Sequence, residues 1–176
     1  MPRTPTEITT SDVPQAPNLP RVRCVITAIA CGAQGNDEIA EHTDVSARHV
    51  AYSVRAAQTL GLLDGARRLT DLGRALIESE QESAQERDLF RSAIQHSPIL
   101  RALAPTLLAA KPPSKKTLGA RIERLSGLSR ATAEHRASDL LSWRAQLMDV
   151  VPTNIDEADD DAGASAAGDD TSTRAT

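Results

Sequence analysis

Arg48, Tyr52 and Arg55 stand four and three residues apart in the stretch DVSARHVAYSVRAAQTLGLL. A helix turns by about 100° per residue, so it carries all three on one face. Thr59 extends this stripe and His49 flanks its start, while Val50, Val54, Ala57 and Gly61 gather on the other side. A guanidinium can hold a guanine edge with two hydrogen bonds, and a phenol or imidazole can contact a phosphate or a base edge. The plainer reading is a solvated helix face that happens to carry two arginines. Arg67 and Arg68 follow an Asp64–Gly65 turn nearby. Four arginines on two neighbouring elements favour contact with a polyanion over mere solvation.

Other chemistries find little to work with. All three lysines lie within residues 111–116, and no Asp/Glu-x-Lys triplet occurs, so the usual divalent-metal site of restriction nucleases has no counterpart. There is no GxxxxGK loop to cradle a phosphate. His42, His49, His96 and His135 show no zinc-binding spacing with Cys24 and Cys31. No Ser or Cys sits in a nucleophile motif. Tyr52, Phe90 and Trp143 are the only aromatics, too few for a platform that stacks single-stranded bases. The expectation is a protein that is not an enzyme, with no cofactor and no metal. The two cysteines fall seven residues apart on one predicted helix, about 10 Å along its axis. That is beyond the usual disulfide reach, and two buried free thiols are expected.

A core with three aromatics must be built from Leu, Val, Ile and Ala, which favours helices. The net charge of −4 is unevenly spread: −1 over residues 1–19, −1 over 20–80, +4 over 81–152 and −6 over 153–176. Residues 1–19, with several prolines and few bulky apolar side chains, read as a disordered arm. Residues 153–176, rich in Asp, Ala and Gly, read as an acidic disordered tail. No stretch has the pattern of a signal peptide or the ~18 apolar residues of a membrane span. The expected location is the cytoplasm, with no membrane partner.

The elements that must position the arginines follow from periodicity and punctuation. RVRCVITAIACG puts Val22, Val25, Ile26 and Ile29 on one helical face and stops at Gly32. Asn36 or Asp37 can cap a short second helix, closed by a turn at Thr43–Val45, and Ser46 can cap a third. LLDGARRLT then reads as a tight two-stranded hairpin, and Thr70 caps the helix DLGRALIES. Three helices, the last two joined by a tight turn, followed by a hairpin, is the order of a winged helix-turn-helix. GLLDGARRLTDLGRALIE resembles the wing and following helix of prokaryotic winged-helix proteins, which implies a winged domain over residues 20–80.

Residues 81–152 read as a second, helical domain. RDLFRSAIQHSPILRALAPTLLAA should form two helices broken at Ser97–Pro98, with Pro105 kinking the second. TLGARIERLSGLSRATAEHRASDLLSWRAQLMD is again helix, turn and helix, and a shift of 83 residues superposes Val45 on Leu128 and Ser46 on Ser129. Lys115, Lys116, Arg130 and Arg136, with Arg121 and Arg124, suit contacts to phosphates. The outward stripe Ala131, His135, Ser138, Ser142 is nearly uncharged. It suggests that the first unit specifies and the second clamps, or that the second offers a protein contact surface.

The phrases LTDLGR, ERDLFRSAIQHSPIL and GLSRATAEHRASDLLSWRAQL together resemble accessory DNA-binding regions of prokaryotic restriction and defence proteins. That pattern has two adjacent arginines where His135 and Arg136 stand. The expected fold is all-α with a small β-hairpin wing. The expected function is non-catalytic double-stranded DNA binding, as a transcriptional regulator or as the DNA-binding component of a restriction or defence system. A partner nuclease or other defence protein and a homodimer are compatible with it. The alternative is a protein–protein interaction module on the same scaffold.

Overall fold

A computed structural model describes residues 8–148, and among them eight α-helices. Both the start of the expected arm (residues 1–7) and the acidic tail lie outside the described residues. Helix α1 (Leu19–Ala30) begins where the Asn18 side chain accepts from the Arg21 amide at 3.0 Å, with Pro20 in its first turn. It buries Val22, Val25 and Ile26. Cys24 and Cys31 fall on the other side and are exposed free thiols, which corrects the expectation of buried ones. The reason is the helical period: positions 24 and 31 are about half a turn away from position 22.

Helix α2 (Asn36–Thr43) starts one residue after Gly35, so Asn36 is its first residue and not its cap. It ends at Asp44, which adopts a left-handed conformation with φ 51°. Val45 follows, then Ser46 at the cap position of α3 (Ala47–Thr59). The Ser46 hydroxyl does not bond the helix amides; it pairs with His49 Nδ1 at 2.8 Å. Helix α4 (Asp71–Glu78) is capped by Thr70, whose hydroxyl accepts from the Gly73 amide at 3.1 Å.

The segment between α3 and α4 is where the hairpin was expected. It holds one antiparallel bridge, Leu63 to Leu69, and no strand is formed among the described residues. The Asp64 carboxylate accepts from the amides of Ala66 (2.8 Å) and Arg68 (2.9 Å). Arg67, not Gly65, takes the left-handed conformation, φ 62°. A side chain closes the loop in the manner of an Asx turn, so the chain reverses within five residues. Between the end of α3 and the start of α4 there is room for only one pair beyond the turn. The wing is reduced to this loop.

Helices α5 (Ala84–His96) and α6 (Pro98–Leu103) meet at Ser97, which caps α6 and also donates to Thr59 O at 2.7 Å. The helix stops before Pro105 and is not kinked by it; Ala104 has φ −140° and ψ 59°, in keeping with the restriction on a residue preceding proline. Helix α7 (Lys115–Ser126), left-handed Gly127 (φ 71°), Leu128, Ser129 and α8 (Arg130–Leu147) repeat the α2–α3 arrangement position by position. A Cβ on Gly119 would lie 2.8 Å from Glu134 Cγ, so α7 and α8 cross where only glycine fits.

The buried apolar side chains form one cluster that runs from Val13 through Val50, Leu76 and Phe90 to Leu140 and Trp143. The division at residue 80 is therefore a place in the sequence and not a gap between cores. Arg23 ties it shut: it is buried and donates to Leu76 O (2.9 Å), Ser79 O (2.6 Å) and Glu86 Oε1 (2.9 Å). One guanidinium thus satisfies the free carbonyls at the end of α4 and neutralises the carboxylate at the start of α5.

Residues 8–19 do not form a loose arm. Val13, Ala16 and Leu19 are buried, and Trp143 donates its indole N–H to Ala16 O. Gln146 accepts from the Leu19 amide at 2.9 Å and donates to Pro17 O at 2.7 Å. Apolar residues spaced among the prolines pack in the crease between α3 and α8, and this burial outweighs the ordering cost that composition alone suggested would prevail.

Candidate nucleic-acid interface

Helix α3 buries Val50, Val54, Ala56 and Ala57 against α1 and α2. The opposite stripe is less open than its periodicity predicts. Arg48 and His49 are exposed in the first turn and Arg55 is exposed further along, but Tyr52 is half-buried and Thr59 is buried. The cause is tertiary: residues 9–12 cross the C-terminal half of the helix, and α8 flanks its middle. Arg55 donates to Ser11 O at 3.0 Å and stands 3.5 Å from Asp12 Oδ1. Asp12 is itself held by the Thr9 amide (2.9 Å) and hydroxyl (2.7 Å). That Thr9-x-x-Asp12 spacing is a capping-box signature, legible in the sequence and passed over there.

The first turn of α3 carries a closed set of contacts. Arg48 Nε donates to Tyr52 Oη at 2.8 Å, and its Cζ lies 5.7 Å from the ring centroid. The His49 ring meets Tyr52 edge-on at 6.1 Å. The hydrogen bond to Tyr52 raises the Arg48 pKa above its ordinary value.

The loop arginines are exposed but engaged: Arg67 donates to Asn36 Oδ1 at 2.9 Å, and Arg68 pairs with Asp64 at 2.8 Å. The Arg67 contact ties the loop to the start of α2, whereas the Arg68 pair stays within the loop and leaves its side chain exposed.

In the second unit Lys115 and Lys116 are exposed in the first turn of α7, with no ion pair among the described residues. Arg130 opens α8 and lies 3.2 Å from Glu134. Arg136 is not the outward phosphate ligand its number on the helix suggested. It is half-buried beside Asp139 at 3.8 Å, and burial lowers its pKa, with Asp139 and then Tyr52 acting in the opposite sense. Burial raises the Asp139 carboxyl, opposed by His135 and Arg136. Arg121 donates to Ala102 O (2.8 Å) and Arg144 to Ala109 O (3.1 Å), so both brace the α6–α7 connection. Among the described residues no cluster of His, Cys, Asp and Glu is placed to hold a metal ion, and no helix is long and apolar enough to cross a membrane.

Among the described residues, five of the eight helices carry no acid in the first turn: α1 and α6 have Arg21 and Arg101 there, and α3, α7 and α8 are the other three. Helices α2, α4 and α5 carry acids in their first turns, as the helix dipole favours. Helices α3, α7 and α8 carry none there and place Arg48, Lys115, Lys116 and Arg130 instead.

Residues 23–95 match the family model described as wHTH-PRTase associated. The match supports a winged helix-turn-helix domain in this part of the chain, and it runs past residue 80 to reach into α5. No curated protein and no solved structure matches the chain.

Proposed function

We propose that this protein binds double-stranded DNA without cutting it. The first turn of α3 enters the major groove, and the starts of α7 and α8 contact phosphates. One observation carries this reading: the cations at the starts of α3, α7 and α8. A cation there is disfavoured by the helix dipole, so helix stability gives no reason for Lys115 and Lys116, and only the local contacts with Tyr52 and Glu134 for Arg48 and Arg130. With the exposed amides of a helix start these cations form a surface that suits a polyanion. The contacts on Arg55 and Arg67 narrow the base-reading face to Arg48, His49 and the exposed edge of Tyr52, and Arg68, paired locally like Arg130, stays with the phosphate contacts. Arg136 falls out of the set and supports α8 instead.

The association named in the matching family favours a regulatory role beside a phosphoribosyltransferase over a role beside a nuclease. Fluorescence anisotropy of the full chain with a labelled duplex, over a salt series, tests the binding. Affinity should fall steeply and linearly in log–log form, with a slope near −0.9 for each phosphate neutralised. No binding at low salt, or an affinity indifferent to salt, overturns it. The second reading, a protein-docking module, draws on the crossing of α3 by residues 9–12. It predicts no binding to the duplex at low salt.

A further inference from the structure

Among the arginines offered to DNA, Arg48 differs in how it is held. Arg55 and Arg67 each use a terminal amino group on a protein acceptor, and Arg68 and Arg130 each face a carboxylate. Arg48 is held through Nε alone, by an uncharged hydroxyl, so its terminal amino groups and its full charge stay available. A guanidinium can present two parallel N–H groups along two edges, one made of Nε and a terminal nitrogen, the other of both terminal nitrogens. Tyr52 closes the first edge and leaves the second. Two acceptors side by side, O6 and N7 of guanine, match that second edge.

We infer that Arg48 reads a guanine in the major groove and that Tyr52 is its positioning residue, in a set completed by His49 and Ser46. The inference rests on the DNA-binding reading above and adds the base and the division of labour. Tyr52 is half-buried between α3 and α8, and its ring is fixed by His49 on one side and lies within electrostatic reach of Arg136 on the other. A long, flexible side chain is thereby ordered before DNA arrives, so the loss of rotamer freedom on binding is reduced. Sequence preference should accordingly reside in Arg48 more than in Arg55, whose donors are already met by Ser11.

The test begins with selection of a preferred duplex from a randomised library by the full chain. Each guanine of that duplex is then replaced by 7-deazaguanine, which lacks the N7 acceptor. At one guanine the replacement should weaken binding by roughly ten-fold or more. Arg48→Lys should give a similar loss on the unmodified duplex and no further loss on the modified one. Tyr52→Phe should lose most of the discrimination between guanine and 7-deazaguanine, read as the ratio of the two affinities within that variant, while Arg48 still carries its charge. Discrimination intact in Tyr52→Phe removes the positioning role, and a guanine effect that survives Arg48→Lys removes the reader. Failure to bind any duplex removes the DNA-binding reading and this one with it, whereas binding without a guanine effect removes this one only.

Discussion

At the scale of single residues, two aspartates illustrate how environment sets the sign of a contribution. Asp64 is half-buried, and the amide of Arg68, its guanidinium and the Ala66 amide hold its pKa below the ordinary value, against an opposing effect of desolvation. Its folded form therefore binds protons less readily than its unfolded form. The stability it adds is present above the ordinary aspartate range and is lost as pH falls through the lowered value. Asp139 behaves in the reverse way. Burial raises its pKa, and its Oδ2 has no hydrogen-bond partner among the described residues, so its contribution declines as pH rises from the ordinary range through the raised value. Thermal midpoints measured from pH 2.5 to pH 8 should separate the two. Asp64→Asn should be at a disadvantage at neutral pH that shrinks only as pH falls below about 4, and Asp139→Asn should gain relative to the parent as pH increases. The same slope in both variants would mean that neither environment is as described.

At the scale of elements, close approach decides which residues are replaceable. A Cβ on Gly73 would overlap the Leu62 carbonyl, with Leu69 Cδ2 at 3.0 Å, because α4 is laid directly over the reduced wing. Gly73→Ala should cost about 1–3 kcal/mol by forcing that backbone apart, and Thr70→Ala about 1 kcal/mol by removing the cap. Both are read from urea midpoints. A neutral Gly73→Ala would show that the wing loop can move away from α4. The helices and both turns were legible in the sequence because each depends on residues near in the chain; of the expected caps, Thr70 bonds its helix as read, Ser46 holds the cap position but bonds His49, and Gly35 takes the place expected of Asn36 or Asp37. The wing was overread. Leu63 and Leu69 flank a turn as expected, but α3 ends at Thr59 and α4 begins at Asp71, so the chain between them has room for only one pair beyond the turn.

At the scale of the whole molecule, one apolar cluster joins α1–α4 to α5–α8, with Arg23–Glu86 across the boundary and Trp143 seated under residues 8–19. Unfolding should therefore be a single transition. Fluorescence of Trp143, the sole tryptophan, and far-UV circular dichroism should report the same urea midpoint. Separated midpoints would restore two independent domains at residues 20–80 and 81–152. Arg23 is the residue that sequence reading had least chance of finding. It sits on the apolar face of α1, and its acceptors, Leu76 O and Ser79 O, lie more than fifty residues away.

The order of helices, the two helix–turn–helix arrangements with their shared left-handed residue and serine, and the cations at the starts of α3, α7 and α8 are written in the sequence. They depend on helical period, capping chemistry and the composition of single turns. Which of the candidate DNA-binding arginines keeps its terminal amino groups free is decided by the tertiary structure. Residues 9–12 meet Arg55, Asn36 meets Arg67, Asp139 and burial claim Arg136, and Arg48 is left with its terminal amino groups open beside Tyr52. Helical spacing tells which way a side chain leaves its own helix, but the acceptors that meet it arrive from distant parts of the chain.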